Sequence, residues 1–189
     1  METRKIVCTD TQSFNVGDTI SFRLVDGEFV EAMAVKAEQD GMLFLLVDCL
    51  YDEERMNRTD TNRGGYEESD LRRKLNSAII CRFPQEIRKQ MVAFENGDFL
   101  RLPTEKEIFG VNEYGEKEAD SVEQFEPMKL RRNRIAFQGH NGDWEWYWLQ
   151  NKRKNSAARF ARVNHTGYAY AGNASLSLGV RPAFKIMSL

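Results

Sequence analysis

The chain has 189 residues, with 27 Lys and Arg against 29 Asp and Glu, and a formal net charge of −2. That near-balance excludes a uniformly basic nucleic-acid or anionic-membrane binder. Hydrophobic residues make up 41%, enough for a single domain over 1–189, and no apolar run reaches the ~18 residues that a membrane-spanning helix needs.

Met1 to Cys8 carries early charge without an apolar core or a small-residue cleavage site, so no signal peptide is expected and the location is expected to be cytoplasmic. Cys8, Cys49 and Cys81 are odd in number and widely spaced, with no Cys-x-x-Cys pair. They are expected as buried apolar residues rather than a zinc site or a disulfide framework.

Residues 1–14 are expected as an extra N-terminal strand or arm. Val16-Gly17-Asp18 is a turn, and Thr19–Leu24 alternates apolar with polar, as a half-buried strand does. Asp26-Gly27 is a hairpin signal leading into Phe29–Val35, and Asp40-Gly41 turns into the apolar run Met42–Val47, completing a three-stranded meander. Asp52–Gly65 reads as a loop.

Ser69 can cap a helix whose Leu71, Leu75, Ala78 and Ile79 share one face. Pro84 opens a second helix with Ile87, Met91 and Phe94 on its buried side. Thr104 and Glu107 have capping-box spacing, and Gly110 stands where a left-handed terminator belongs. Residues 111–128 read as a long acidic loop. The last third is strand-like over Trp144–Leu149, Ala158–Val163, Tyr168–Tyr170 and Val180–Ile186, with Asn164–Gly167 as a turn. Pro182 predicts an edge strand or a bulge.

Charge is segregated along the chain. Ten acids against three bases between 95 and 126 give −7, and nine bases against two acids between 129 and 162 give +7. The element order, strands then helices then strands, predicts an α+β fold.

Several motifs recur in a telling order: Glu68–Asn76, Arg101–Glu107, Trp146–Leu149, Ala161–Gly167 and Gly179–Phe184. In that order they resemble the DUF6273 family of bacterial and phage domains, over about residue 15 to the end. Tyr66 and Lys74 stand where that family usually has tryptophan, and Gln150-Asn151 replaces an Arg-Ser pair, which implies a divergent member. The Leu-Pro-Thr-Glu helix start and the Gly-x-Arg-Pro strand also resemble the C-type-lectin-like fold of formylglycine-generating enzymes and of retroelement-diversified binding proteins. That resemblance implies mixed antiparallel sheets with two or three helices, paired amino- and carboxyl-terminal strands, and a loop-rich C-terminal third that presents a binding face.

The enzymatic version of that fold needs a cysteine pair in the carboxyl-terminal half, since thiolates are its copper ligands. None follows Cys81. Calcium-dependent sugar binding needs oxygen-rich Glu-Pro-Asn and Trp-Asn-Asp patterns, which are missing. Asn141, Asp143 and Glu145 are expected as the exposed side of a strand. His140 and His165 lie 25 residues apart with no ligand spacing, so neither a metal nor another cofactor is expected. Trp144, Trp146 and Trp148 alternate with Glu145, Tyr147 and Leu149, and one of these faces is core.

The leading expectation is a non-enzymatic domain that binds a protein or small-molecule ligand through a surface built from about 138–178. Its candidate residues are Tyr147, Arg159, Arg162, His165, Tyr168 and Tyr170, flat rings beside arginines. Gly179, Arg181 and Pro182 are expected to be structural, with the Arg181 fork bonding loop carbonyls or a carboxylate. The runner-up is an enzyme distantly related to the formylglycine-generating type. A third reading is a phage-particle component or a single-strand nucleic-acid binder, using arginine on phosphate and tyrosine on bases. No membrane partner is expected.

Overall fold

The computed structural model describes residues 14–187. The arm expected over 1–14 lies outside them apart from Phe14, as does Cys8.

The alternating segments form β1 (Thr19–Arg23), β2 (Phe29–Glu38) and β3 (Gly41–Leu46), an antiparallel meander. Gly27 takes φ 94°, the left-handed conformation its hairpin turn demands. Gly41 is required for a different reason: a Cβ there would run into the Ile186 carbonyl of the neighbouring strand. That neighbour, β12 (Ala183–Met187), pairs antiparallel with β3 on one side and with β5 (Met91–Val92) on the other. The sheet order is β1-β2-β3-β12-β5. β12 is therefore an interior strand, which corrects the edge assignment drawn from Pro182. The proline sits just before the strand, where its missing donor costs no ladder bond, and its carbonyl accepts from the Leu46 amide at 3.1 Å.

Ser69 caps α1 (Asp70–Lys74), its Oγ accepting from the Arg72 amide at 3.1 Å. The helix winds on through a π turn, Leu75–Ile79, and a 3-10 turn, Ile80–Arg82. Leu71, Leu75 and Ile79 are buried, whereas the wider π winding leaves Ala78 exposed. Lys74 is exposed and pairs with Glu54 at 2.5 Å. α2 is only Gln85–Arg88, with Pro84 as its cap. The longer helix expected there stops because Met91 is drawn into the sheet opposite Ile186, tertiary pairing overriding the helical period. α3 (Glu105–Phe109) has the full capping box from Thr104 and Glu107, and Gly110 ends it at φ 78°.

The loop expected over 52–65 contains one short strand, β4 (Glu54–Arg55). It pairs with β11 (Ser177–Leu178), and the Trp148 indole fixes it by donating to the Glu54 carbonyl at 2.8 Å. β6 (Ala136–Phe137) and β7 (Trp144–Glu145) form a short hairpin. β8 (Tyr147–Lys152), β9 (Arg159–Val163) and β10 (Ala169–Asn173) form a three-stranded antiparallel sheet with β9 central. The chain is mixed α+β and rich in sheet.

The five-stranded sheet is buried on both faces. Phe44, Phe184, Leu75 and Phe83 pack on one side with Trp148 and Phe160. Leu43, Leu45 and Ile108 pack on the other with Tyr147, Leu149 and Val163. β8 thus feeds both clusters by alternation, so Trp148 and Tyr147 are each core, and truncating either to alanine costs about 3–5 kcal/mol. Cys49 is buried, but Cys81 is exposed on the 3-10 turn, contrary to expectation. Among the described residues no helix is long and apolar enough to cross a membrane.

Candidate functional site

The site begins with a turn. Asn164 Oδ1 accepts from the amides of Thr166 and Tyr168, at 3.0 and 2.9 Å, and Gly167 takes φ 79°. This closed turn sets the register of β9 on β10, placing Arg162 directly opposite Tyr170. Two residues further along β10, on the same face, is Gly172, whose missing side chain leaves space that Arg162 fills: a Cβ there would stand 3.1 Å from Arg162 Cδ and 3.2 Å from Nε. The arginine lies across this gap with its guanidinium carbon 4.1 Å from the Trp146 ring centre and 5.2 Å from that of Tyr170.

Arg162 Nε is buried without a hydrogen-bond partner among the described residues, and no carboxylate there pairs with the guanidinium. Burial holds its pKa below the ordinary arginine value; Arg159 pushes the same way through like charge, while Tyr170 opposes. The rings continue outward from it. His165 packs at 5.5 Å from Trp144 and 5.4 Å from Trp146, and Tyr170 lies 5.9 Å from Trp146 and 5.8 Å from Tyr114. Trp144 and Tyr170 remain substantially exposed.

Tyr114 comes from the acidic stretch. The Glu105 carboxylate, buried at the start of α3, accepts from the amides of Tyr114 at 2.9 Å and Gly115 at 2.7 Å. Burial raises its pKa, with these bonds opposing. Asn151 accepts from the Glu105 amide at 2.7 Å and donates to Glu118 at 2.7 Å. The backbone pairs as well, with Gly115 opposite Arg153. The acidic and basic stretches are therefore stitched together, including a Lys152–Glu116 ion pair at 3.3 Å. Beyond that pair lies a cleft of about 610 Å³ lined by Glu113, Tyr114, Arg153, Lys154 and Arg159. Lys154 donates to the carbonyls of Asn112 and Glu113, and Arg159 donates to Asn173 Oδ1 at 2.9 Å. Among the described residues these three cations have no carboxylate partner within ion-pair distance.

Of the candidates read from the sequence, Arg162, His165 and Tyr170 come together, and Arg159 lines the adjoining cleft. Tyr168 is exposed but packs under Arg131, at 5.2 Å. Tyr147 does not reach a surface, which corrects its place among the ligand-binding candidates. It is fully buried, donating to the Arg134 carbonyl and accepting from Arg181, both at 3.0 Å. Sequence reasoning missed Trp146, Gly172 and Tyr114. The hairpin register could have found Gly172, two residues past the Tyr170–Arg162 pair, but nothing local to residue 114 announces its position.

Arg181 is almost completely buried and each of its three nitrogens donates: Nε to the Leu46 carbonyl at 2.6 Å, and the two terminal nitrogens to Tyr147 Oη and the Asn133 carbonyl at 3.0 Å. Gly179 is packed tightly, since a Cβ there would lie 2.5 Å from Glu145 Cγ and 2.6 Å from Cys49 Sγ. Glu145 is buried, contrary to its expected exposed side of the strand, and accepts from the Trp146 amide at 2.6 Å. Burial and the nearby Glu53 carboxyl push its pKa up to about 7.

A second hollow, of about 700 Å³, lies between the β1–β2 turn and the His140 loop. Its charges are internally compensated: Arg82 binds Asp26 at 2.6 Å and Glu28 at 2.5 Å. The His140 ring packs on Phe29. Among the described residues no group of three or more His, Cys, Asp or Glu side chains is placed to hold a metal ion.

The family model described as a domain of unknown function, DUF6273, matches residues 40–188. The matched span starts just before β3, later than the residue 15 suggested by the motifs. No curated protein and no solved structure matches the chain.

Proposed function

The chain belongs to the DUF6273 family, and we propose that it is a non-enzymatic binding domain whose ligand sits on the open end of the β8–β10 sheet. One observation carries this reading: Arg162, half-buried and without a carboxylate partner among the described residues, lies over the Trp146 ring and against Tyr170, beside exposed rings. A desolvated cation is costly unless a partner compensates it, and among the described residues the intramolecular compensation is ring faces, worth about 1–2 kcal/mol. Such an arrangement is completed by a ligand carrying negative charge or a polar edge. The site is built by strands and by the Tyr114 loop, more than by the loops of 138–178.

The C-type-lectin-like reading of the fold belongs to the same proposal. It is supported by the long irregular stretch between α3 and β6; the expected pairing of amino- and carboxyl-terminal strands is not met among the described residues, since β12 pairs with β3 and β5 and β1 lies at the sheet edge.

The test is a thermal-shift and tryptophan-fluorescence panel of soluble ligand classes, comprising polyanions, glycans and peptides, run on the wild type and on a variant carrying Arg162→Gln and Tyr170→Ala. A ligand that stabilises the wild type and not the variant is the expected result. Equal stabilisation of both proteins would place binding elsewhere.

A further inference from the structure

Resting on that binding face, we infer that its ligand is a phosphate-bearing aromatic ring, the nucleotide unit, taken either as free nucleotide or within a single strand. Two recognition elements meet at one residue. Tyr114 contacts Tyr170 on the ring platform at 5.8 Å and also walls the cationic cleft. A base stacked on the exposed Tyr170 therefore has its sugar and phosphate directed along Tyr114 into the cleft of Arg153, Lys154 and Arg159.

Each element demands its own half of the ligand. The platform offers ring faces and a flat guanidinium, which suit a planar, polarisable partner; stacking of this kind is tolerant of base identity. The cleft holds three cations against one lining carboxylate, Glu113. The nearby Asp60 is occupied by Ser175, whose amide and hydroxyl donate to it at 3.1 and 2.5 Å, and by Asn173 at 3.0 Å. Arg159 adds like charge near Arg162, and a phosphate in the cleft answers Arg153, Lys154 and Arg159 while the base lies over the ring platform that holds Arg162. A neutral sugar would leave the cations unanswered, and an inorganic anion would leave the rings bare. Duplex DNA hides its base faces in its own stack, so a free or single-stranded form is required.

The test titrates the full chain, by tryptophan fluorescence, with adenosine monophosphate, a single-stranded ten-residue oligodeoxythymidine, inorganic phosphate and a blunt duplex. The expected result is binding of the monophosphate or the oligonucleotide at least tenfold tighter than of phosphate or duplex. Arg162→Gln and Tyr170→Ala should each weaken it about tenfold, with melting temperatures near the wild type. The two sources separate by length and salt. A free-nucleotide site binds both forms alike, whereas a strand site favours the oligonucleotide and loses affinity with salt at a slope of about −2 for three phosphate contacts. Phosphate binding as tightly as nucleotide would overturn the ring half of the inference. Failure of all nucleotides while an acidic peptide or a glycan perturbs the same face would overturn the ligand class and leave the binding face standing. Nucleotide binding unchanged in both variants would overturn both.

Discussion

The guanidinium of Arg162 lies 4.1 Å from the centre of the Trp146 ring because Gly172, two residues beyond its partner Tyr170 on the neighbouring strand, leaves it room. A turn fixes the register, the register places a glycine, and the glycine makes room for a cation over the indole.

Gly172→Ala tests that relationship. The new Cβ forces the arginine to shift by a few tenths of an ångström, which changes its seat over the indole. Tryptophan emission should change, and ligand affinity should fall about two- to fivefold, the loss of a cation–ring contact. Stability should change by no more than about 1 kcal/mol, because the displaced chain is flexible. Unaltered emission and affinity would mean that the gap does not position Arg162.

Glu105→Gln should release the Tyr114 loop. The carboxylate accepts from two amides with two oxygens, and an amide side chain can accept with only one. Hydrogen exchange at Tyr114 and Gly115 should accelerate, and the chain should lose about 1–3 kcal/mol. Protection at both amides equal to the wild type would contradict the role given to this carboxylate.

Arg181→Met should be severe. It leaves the Leu46 and Asn133 carbonyls and the Tyr147 hydroxyl without the donors that now serve them, at a cost of about 2–4 kcal/mol measured by denaturant unfolding. Arg181→Lys should recover little of this, since one ammonium cannot reach three diverging acceptors. A lysine variant as stable as the wild type would show that charge, rather than the fork, is what the position needs.

The legible part of the fold was the part governed by local chemistry. Thr104, Glu107 and Gly110 specify α3 within seven residues, and Asp26-Gly27 and Asn164–Gly167 specify their hairpins, because each turn needs only its own side chains and a glycine at positive φ. Met91 and Pro182 misled for the opposite reason. Their states are decided by β12, about ninety residues away for Met91, and for Pro182 by the β3 partner whose amide takes its carbonyl. At the site, the arginines and tyrosines were visible in the sequence, but Tyr147 was assigned to the surface. Alternation assigns residues to two faces without saying that β8 is buried on both. Tyr114 was hidden because a buried carboxylate from another element carries it in.

The pH dependence of stability should carry the signature of Glu145. Folded, this carboxyl keeps its proton up to about 7, against an ordinary value of 4.5. Between those values the folded chain binds more protons than the unfolded one, so stability falls as pH rises through the window and is fully present below it. Glu145→Gln should flatten this segment of the curve, by on the order of 1 kcal/mol after solvent screening. Parallel curves for the two proteins between pH 4.5 and 7 would contradict the raised value.

The most direct test of the binding face is an NMR footprint on the isotopically labelled full chain, saturated with the ten-residue oligodeoxythymidine. The account predicts that the largest shifts fall on the Trp146 and Trp144 indoles, the Arg162 Nε–H, and the amides of Tyr170 and Tyr114, with the Arg82–His140 hollow silent. A footprint centred on that hollow, or shifts that leave Arg162 and Trp146 unmoved, would contradict it.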